Sequence, residues 1–292
     1  MEWYIWAFLS AILSAAAAVS QKRVLFDLEA LRFSFILSIF NMVLALIFFS
    51  GYLFIDINAV ALLILYAKSV LGTFAFWCVM LAIKNMEISG ALPLMVLTPG
   101  LVALFSFILI GDSITQVEFA GLILLLAGTY ILESKNNKDL LKPFIVFYKS
   151  KYHHYIVFAL ILFTATSIID RYLLRDFKFH PKSFMVYQQI FIAINFFFIS
   201  VIVKREVKNL FALPGKEFLF WFMLISVFTT GYRYTQIEAV KLAPAVLVLS
   251  VKRLSVLFAS VYGGKIFSEH HLFRKSVAIV IMLAGAYLVV NY

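Results

Sequence analysis

Ten apolar runs, each close to the length of a membrane crossing, follow one another along this chain with short polar breaks between them. They cover 3–20, 33–51, 58–83, 88–110, 118–132, 154–169, 184–203, 218–237, 243–267 and 276–292. A spanning helix needs roughly 17–25 mostly apolar residues, because lipid offers no partner for a backbone amide and the segment must satisfy its own. Barrel strands would instead alternate apolar and polar residues over about ten positions, and unbroken runs such as 91–110 do not alternate. Composition agrees: 64% of residues are hydrophobic and 14% charged, against about 45–50% and about 25% in a soluble domain. The first run lacks a basic segment before it, so despite the small residues Ala15 to Ala18 it reads as a membrane helix and not as a signal peptide. The sequence thus predicts an all-α, polytopic membrane protein of ten transmembrane helices. Its single cysteine, Cys78, permits no disulfide within the chain.

The longest polar stretch, 133–151, carries Lys135, Lys138, Lys142, Lys149 and Lys151 and reads as a basic linker. It divides the chain into units at 1–132 and 153–292, with 133–152 between them. The units echo each other at an offset of 157 residues. Leu126-Ala127-Gly128-Thr129-Tyr130 falls on Leu283-Ala284-Gly285-Ala286-Tyr287, Gly111-Asp112 on Ser268-Glu269, and Ala82-Ile83-Lys84 on Ala239-Val240-Lys241. At an offset of 149, Lys22 falls on Arg171 and Ser34-Phe35 on Ser183-Phe184. Five is odd, so a second copy must enter the membrane from the opposite side, giving two inverted five-helix repeats. Inverted repeats of this kind mark secondary transporters, with a substrate site near mid-membrane between the halves.

The pattern Ala82, Pro99, Gly111-Asp112, Gly121, Gly128, with its echo Ala239, Ser268-Glu269, Gly285, resembles the EamA-type unit of the drug/metabolite transporter superfamily. The resemblance covers nearly the whole chain and implies a ten-helix, five-plus-five transporter. Asp112 stands where the family usually has glutamate, and Ser268 where it has glycine.

Cations at membrane depth point to the chemistry. Lys68 lies near the middle of the third run, Arg233 in the inner part of the eighth and Lys252-Arg253 near the middle of the ninth. Each costs about 2.5–3.5 kcal/mol at a helix centre, so all four require a wet cavity or partners. Asp170, Glu238 and Glu87 are the available acids, and all three fall at predicted helix ends, nearer the interface than the Lys-Arg pair. For Lys68 and Arg233, snorkelling or pairing stands equal with substrate contact. Adjacent cations project about 100° apart and do not readily share one acid. Arginine supplies a planar fork for phosphate or carboxylate oxygens and lysine a compact charge. The segment Ser250-Val251-Lys252-Arg253-Leu254-Ser255 resembles the Lys-Arg motif in the ninth helix of the triose-phosphate and nucleotide-sugar translocator branch. That resemblance implies that Lys252 and Arg253 clamp an anion.

Polar residues surround these cations along the runs. Thr229, Thr230, Tyr232, Tyr234 and Gln236 crowd the eighth, and Tyr187, Gln188, Gln189 and Asn195 the seventh. Asn41 lies in the second, while Tyr66 and Trp77 flank Lys68. Thr229, Arg233 and Gln236 recur at helical spacing and give one polar face. The expected substrate-binding set is Lys252, Arg253, Lys68, Arg233, Tyr234, Gln188, Thr230 and Tyr187. Pro93, Pro99 and Gly100 should bend the fourth helix.

The histidine pairs 153–154 and 270–271 lack companion ligands at metal spacing, so neither metal nor cofactor is expected. The net charge of +10 reads as loop topology and attraction to anionic headgroups, not nucleic acid. Placing both termini outside puts the basic loops at 22–32, 133–151 and 204–216 in the cytoplasm. The family resemblance implies cytoplasmic termini instead, and both placements stay open. The leading expectation is a secondary-active carrier of a small anionic metabolite in the plasma membrane, as monomer or homodimer. Its partners would be the bilayer, the solute and a coupling proton or counter-substrate. The alternative is an exporter of amino acids or other zwitterionic or neutral metabolites. A membrane-embedded enzyme would need clustered catalytic His, Asp or Glu, and none is visible in the runs.

Overall fold

The computed structural model describes residues 2–53, 58–97, 115–133, 148–204, 215–243, 248 and 251–291. Pro99, Gly100, Gly111, Asp112, Ser250 and most of the basic linker lie outside the described residues, as do 98–110 of the fourth run. Ten helices cross the described chain: α1 Trp3–Leu25, α2 Ala30–Phe49, α3 Ala59–Asn85, α4 Ile88–Leu97, α5 Gln116–Glu133, α6 Lys151–Arg175, α7 Pro181–Lys204, α8 Lys216–Leu242, α9 Leu254–Ile266 and α10 Leu272–Asn291. No strand occurs among the described residues. Five helices, α1, α2, α3, α6 and α7, are long and apolar enough by themselves to cross a membrane.

Local sequence accounts for several helix ends. The Asn58 side chain accepts from the Val60 and Ala61 amides at 2.9 and 3.3 Å, satisfying two free donors at the start of α3. Pro181 opens α7, where a missing amide proton costs nothing. At Pro93 the regular helix of α4 tightens into a 3₁₀ stretch, Pro93–Leu97, which places the expected irregularity. The sequence ended the sixth helix at 169, on meeting Asp170 and Arg171. The helix runs on to Arg175, and that extension carries both charges into the protein.

Packing follows a two-fold rule. Helix α1 lies chiefly against α8 and α3 against α6, while α2 meets α7 and α5 meets α10. Exchanging the halves turns the first pair into the second and returns the last two pairs to themselves. This is the contact scheme of two repeats related by a pseudo-dyad.

Two symmetric devices hold the scheme in place. In the first half, Lys22 of α1 donates to the Ile83 and Met86 carbonyls at 2.6 and 2.7 Å and so caps the end of α3. In the second, Arg171 of α6 donates to the Val240 and Ala243 carbonyls and caps α8, the latter bond at 2.8 Å. Ile83 and Met86 correspond to Val240 and Ala243 at the 157-residue offset, so the same staple occurs twice. A cation at a helix C-terminus also meets the negative end of the helix dipole. The second device is the α5–α10 seam. A Cβ on Gly285 would lie 2.7 Å from the Gly121 carbonyl oxygen and 2.9 Å from the Leu125 amide nitrogen. A Cβ on Gly128 would likewise meet the Ala278 carbonyl, at 2.9 Å, and Ala278 corresponds to Gly121 at the 157-residue offset, so each glycine rests on a small residue at the same place in the partner repeat.

Outward faces carry Ile47, Leu63, Leu126 and Ile202, each about two-thirds exposed or more. Such apolar surface suits contact with lipid and not with water.

Gly285→Ala should lower the unfolding midpoint of the detergent-solubilised protein by an amount equivalent to ~1–3 kcal/mol, the range for forcing atoms into a closed interface. Gly90→Ala, where a Cβ meets nothing within 4 Å, should leave the midpoint unchanged or raised.

Candidate functional site

Between the halves lies a cavity of about 220 Å³, lined from α1, α2, α3 and α4 on one side and from α6, α7, α8 and α9 on the other. No described residue of the α5–α10 pair lines it. All four mid-membrane cations reach it. Lys68 is 1% exposed, and its Nζ lies 2.6 Å from Asp170 Oδ1, close but outside hydrogen-bond alignment. The Phe184 ring covers the same ammonium, with its centroid 5.0 Å away. Arg233 Nη2 stands 3.8 Å from Asp170 Oδ2, so one carboxylate serves two cations.

This overturns the expected position of Asp170. Its acid is not near an interface; it is buried in the wall, because α6 continues past the residue where the apolar run stops. The neutralising acid comes from the opposite half to Lys68 and from the same half as Arg233. Glu87 does not serve the cavity. It pairs with Lys275 at the α3–α4 connection. There Glu269 accepts from the Ile88 and Ser89 amides at 2.6 and 3.0 Å and from the Ser89 hydroxyl. Lys275 also donates to Ser89 Oγ at 2.8 Å, so the start of α4 is tied to the α9–α10 connection.

Beyond Asp170 the site is built from amides and cations. Arg233 donates through Nη2 to Gln188 Oε1 at 2.9 Å and through Nη1 to Gln236 Oε1 at 3.2 Å. Lys252 donates to the same Gln236 oxygen at 2.5 Å and rests over the Tyr232 ring, 4.6 Å from its centroid. No carboxylate lies within ion-pair distance of Lys252 among the described residues. Arg253, beside it in the turn leading into α9, also lines the cavity. Just after the pair, α9 passes through one π-helical turn at Ala259–Gly263, a departure that often accompanies functional sites.

Of the eight residues expected at the site, Lys68, Gln188, Arg233, Lys252 and Arg253 line the cavity. Tyr187, Thr230 and Tyr234 do not. Tyr187 donates to the Leu53 carbonyl, holding the end of α2. Tyr234 stacks on Phe49 at 5.2 Å and meets Trp6 edge-on, on the far side of its helix. Thr230 is buried one position round from Thr229, which does line the cavity with Arg233 and Gln236. The i, i+4, i+7 stripe therefore marks the correct face, and Thr230 and Tyr234 sit off it. Asp170, expected as a partner for the cations but nearer the interface, lines the cavity, and so do Gln21, Ser34, Ser38 and Ser167, which the sequence did not single out. Gln21 and Asp170 each precede a stapling cation, Lys22 or Arg171, and that repeated neighbour was the available signal.

Comparison with known proteins adds a family. The EamA-like transporter family matches the chain twice, over residues 1–134 and 151–291. A protein of known crystal structure superposes over 98% of this chain and 95% of its own with a TM-score of 0.62. At 14% identity, that likeness concerns the fold alone. No curated protein matches the chain.

Lys68→Met strands the buried Asp170 carboxylate with only the more distant Arg233, and should destabilise the protein by ~3–5 kcal/mol. The double variant Lys68→Met/Asp170→Asn removes both charges and should recover most of that loss. Thermal unfolding of the three proteins in one detergent measures the coupling directly.

Proposed function

Because the chain belongs to the EamA-like transporter family and is an integral multi-pass membrane protein, we propose that it is a secondary carrier of a small anionic metabolite, an organic phosphate or carboxylate, working by alternating access. One observation carries this reading: among the described residues, four cations and a single carboxylate line one cavity between two repeats. Net positive charge in a low-dielectric wall concentrates its field on whatever enters. Lys252 gives that charge a place to act, since its neighbours are a neutral amide and an aromatic face. Arg253 adds a fork suited to two oxygens of one anion. The cavity, of about 220 Å³, has room for a small solute.

The second reading, export of an amino acid or another zwitterion, draws on Asp170, an acid in the wall able to meet an ammonium group. Its carboxylate is already engaged by Lys68 and Arg233, so a substrate ammonium would have to displace one of them. That weighs for the anion.

Uptake into proteoliposomes distinguishes the two. Arg253→Lys keeps the charge and loses the fork, and should weaken transport of organic phosphates or carboxylates about tenfold. Arg253→Gln should nearly abolish it. Undiminished transport by Arg253→Gln, together with uptake of zwitterionic amino acids by the wild-type protein, would transfer the function to the second reading.

A further inference from the structure

Arg233 and Lys252 do more than add charge, because they fix which way two amides face. Gln188 turns its oxygen to Arg233, and Gln236 turns its oxygen to both Arg233 and Lys252. An amide flipped about its last bond would set N–H protons against a guanidinium or an ammonium. Each flip would exchange a charge-assisted hydrogen bond for a repulsive contact. Both side chains line the cavity and are at least nine-tenths buried. With the oxygens engaged, the amide nitrogens keep their protons for the cavity, and neither nitrogen donates elsewhere among the described residues.

The other amides of the lining, Gln21, Asn41 and Gln189, are bonded to neither Arg233 nor Lys252. Lysine and arginine offer donors alone. Asp170, the one carboxylate among the described residues of the lining, is drawn to Lys68 and Arg233. Thr229 and Ser255 bring hydroxyls, which turn to donate as readily as to accept. Beside Arg233 and Lys252, then, the wall presents donors to a solute and keeps the Gln188 and Gln236 oxygens turned to the cations.

We infer that this end of the cavity selects a head group with acceptor oxygens and no acidic proton of its own, and that Gln188 and Gln236 are the residues that set the choice. A fully ionised carboxylate, sulfonate or phosphate fits. A protonated acid or an ammonium points a donor at donors and is left unpaired in a buried site, the kind of mismatch that discriminates most strongly between substrates. The inference rests on the anion reading above and narrows it. It also assigns the glutamines a role separate from charge, since neither carries any.

The test compares two probes of equal charge and opposite hydrogen-bond character on the full chain reconstituted in nanodiscs. Methanesulfonate is a monoanion without donors; at about pH 5.5 inorganic phosphate is chiefly a monoanion with two. Titration calorimetry should show methanesulfonate binding about tenfold more tightly to the wild-type protein. Gln236→Glu and Gln188→Glu each put an acceptor where the amide protons were. Each should shift the ratio about tenfold toward dihydrogen phosphate, with the unfolding midpoint recorded to show that the variant is folded. Equal affinities in the wild-type protein, or ratios unmoved in a folded variant, would overturn the inference while leaving the anion carrier standing. Failure of both probes and of organic phosphates to bind the wild-type protein would remove the anion reading itself. The wild-type comparison requires no substitution, so the outcome does not depend on either variant folding.

Discussion

Lys68 and Asp170 stand 2.6 Å apart in the wall of a cavity between two halves of the chain, one on α3 and the other on α6. Alone, either would be a charge buried against hydrocarbon at a cost of several kcal/mol. Together they allow α3 and α6 to lie side by side, and that contact is one of the two that the pseudo-dyad interchanges. Arg233 approaches the other oxygen of the same acid, so α8 is drawn to the same point. Through Gln188 and Gln236 the network continues to α7 and to Lys252. Four helices of the wall thus take their polar register from one carboxylate, and the positive charge left over is what faces a solute.

Around this centre the two halves repeat their construction and differ in their chemistry. The staples at Lys22 and Arg171 and the seam at Gly128 and Gly285 are the same device used twice. The cavity is not. Among the described residues, Lys68 is the only strong cation that the first half contributes to the lining, whereas the second supplies Arg233, Lys252 and Arg253 together with the acid. The frame is therefore common to both halves, and the site is not.

The frame was legible because it rests on properties that sequence states directly. Apolar length gave the helices, an odd count gave the inversion, and Gly128 on Gly285 gave a correspondence that the seam now explains sterically. Much of the cavity was legible too, since a charge at membrane depth has few places to go. What escaped was position within a turn of helix. Stopping the sixth helix at the first charge removed Asp170 from the cavity, although a charged residue inside a membrane protein continues a helix when another charge waits for it. Tyr187, Thr230 and Tyr234 were grouped with true lining residues by composition. Only one face of a helix meets the cavity, and the 3.6-residue period separates Thr229 from Thr230 and Arg233 from Tyr234.

The ion pair also has a history in time. Lys68 is synthesised 102 residues ahead of Asp170, so insertion in chain order brings α3 to the bilayer before its counter-charge exists. A lone lysine near a helix centre opposes that step by about 2.5–3.5 kcal/mol, while each central leucine or isoleucine favours it by about 0.3–0.6. Leu62, Leu63, Ile64, Leu65, Val70, Leu71 and Phe74 bracket the charge and together favour insertion by about 2–4 kcal/mol, comparable to its cost. The dense apolar setting of Lys68 thereby serves the nascent chain as much as the finished one, because it lets the first half wait in the membrane, with its cation exposed, until the second half arrives.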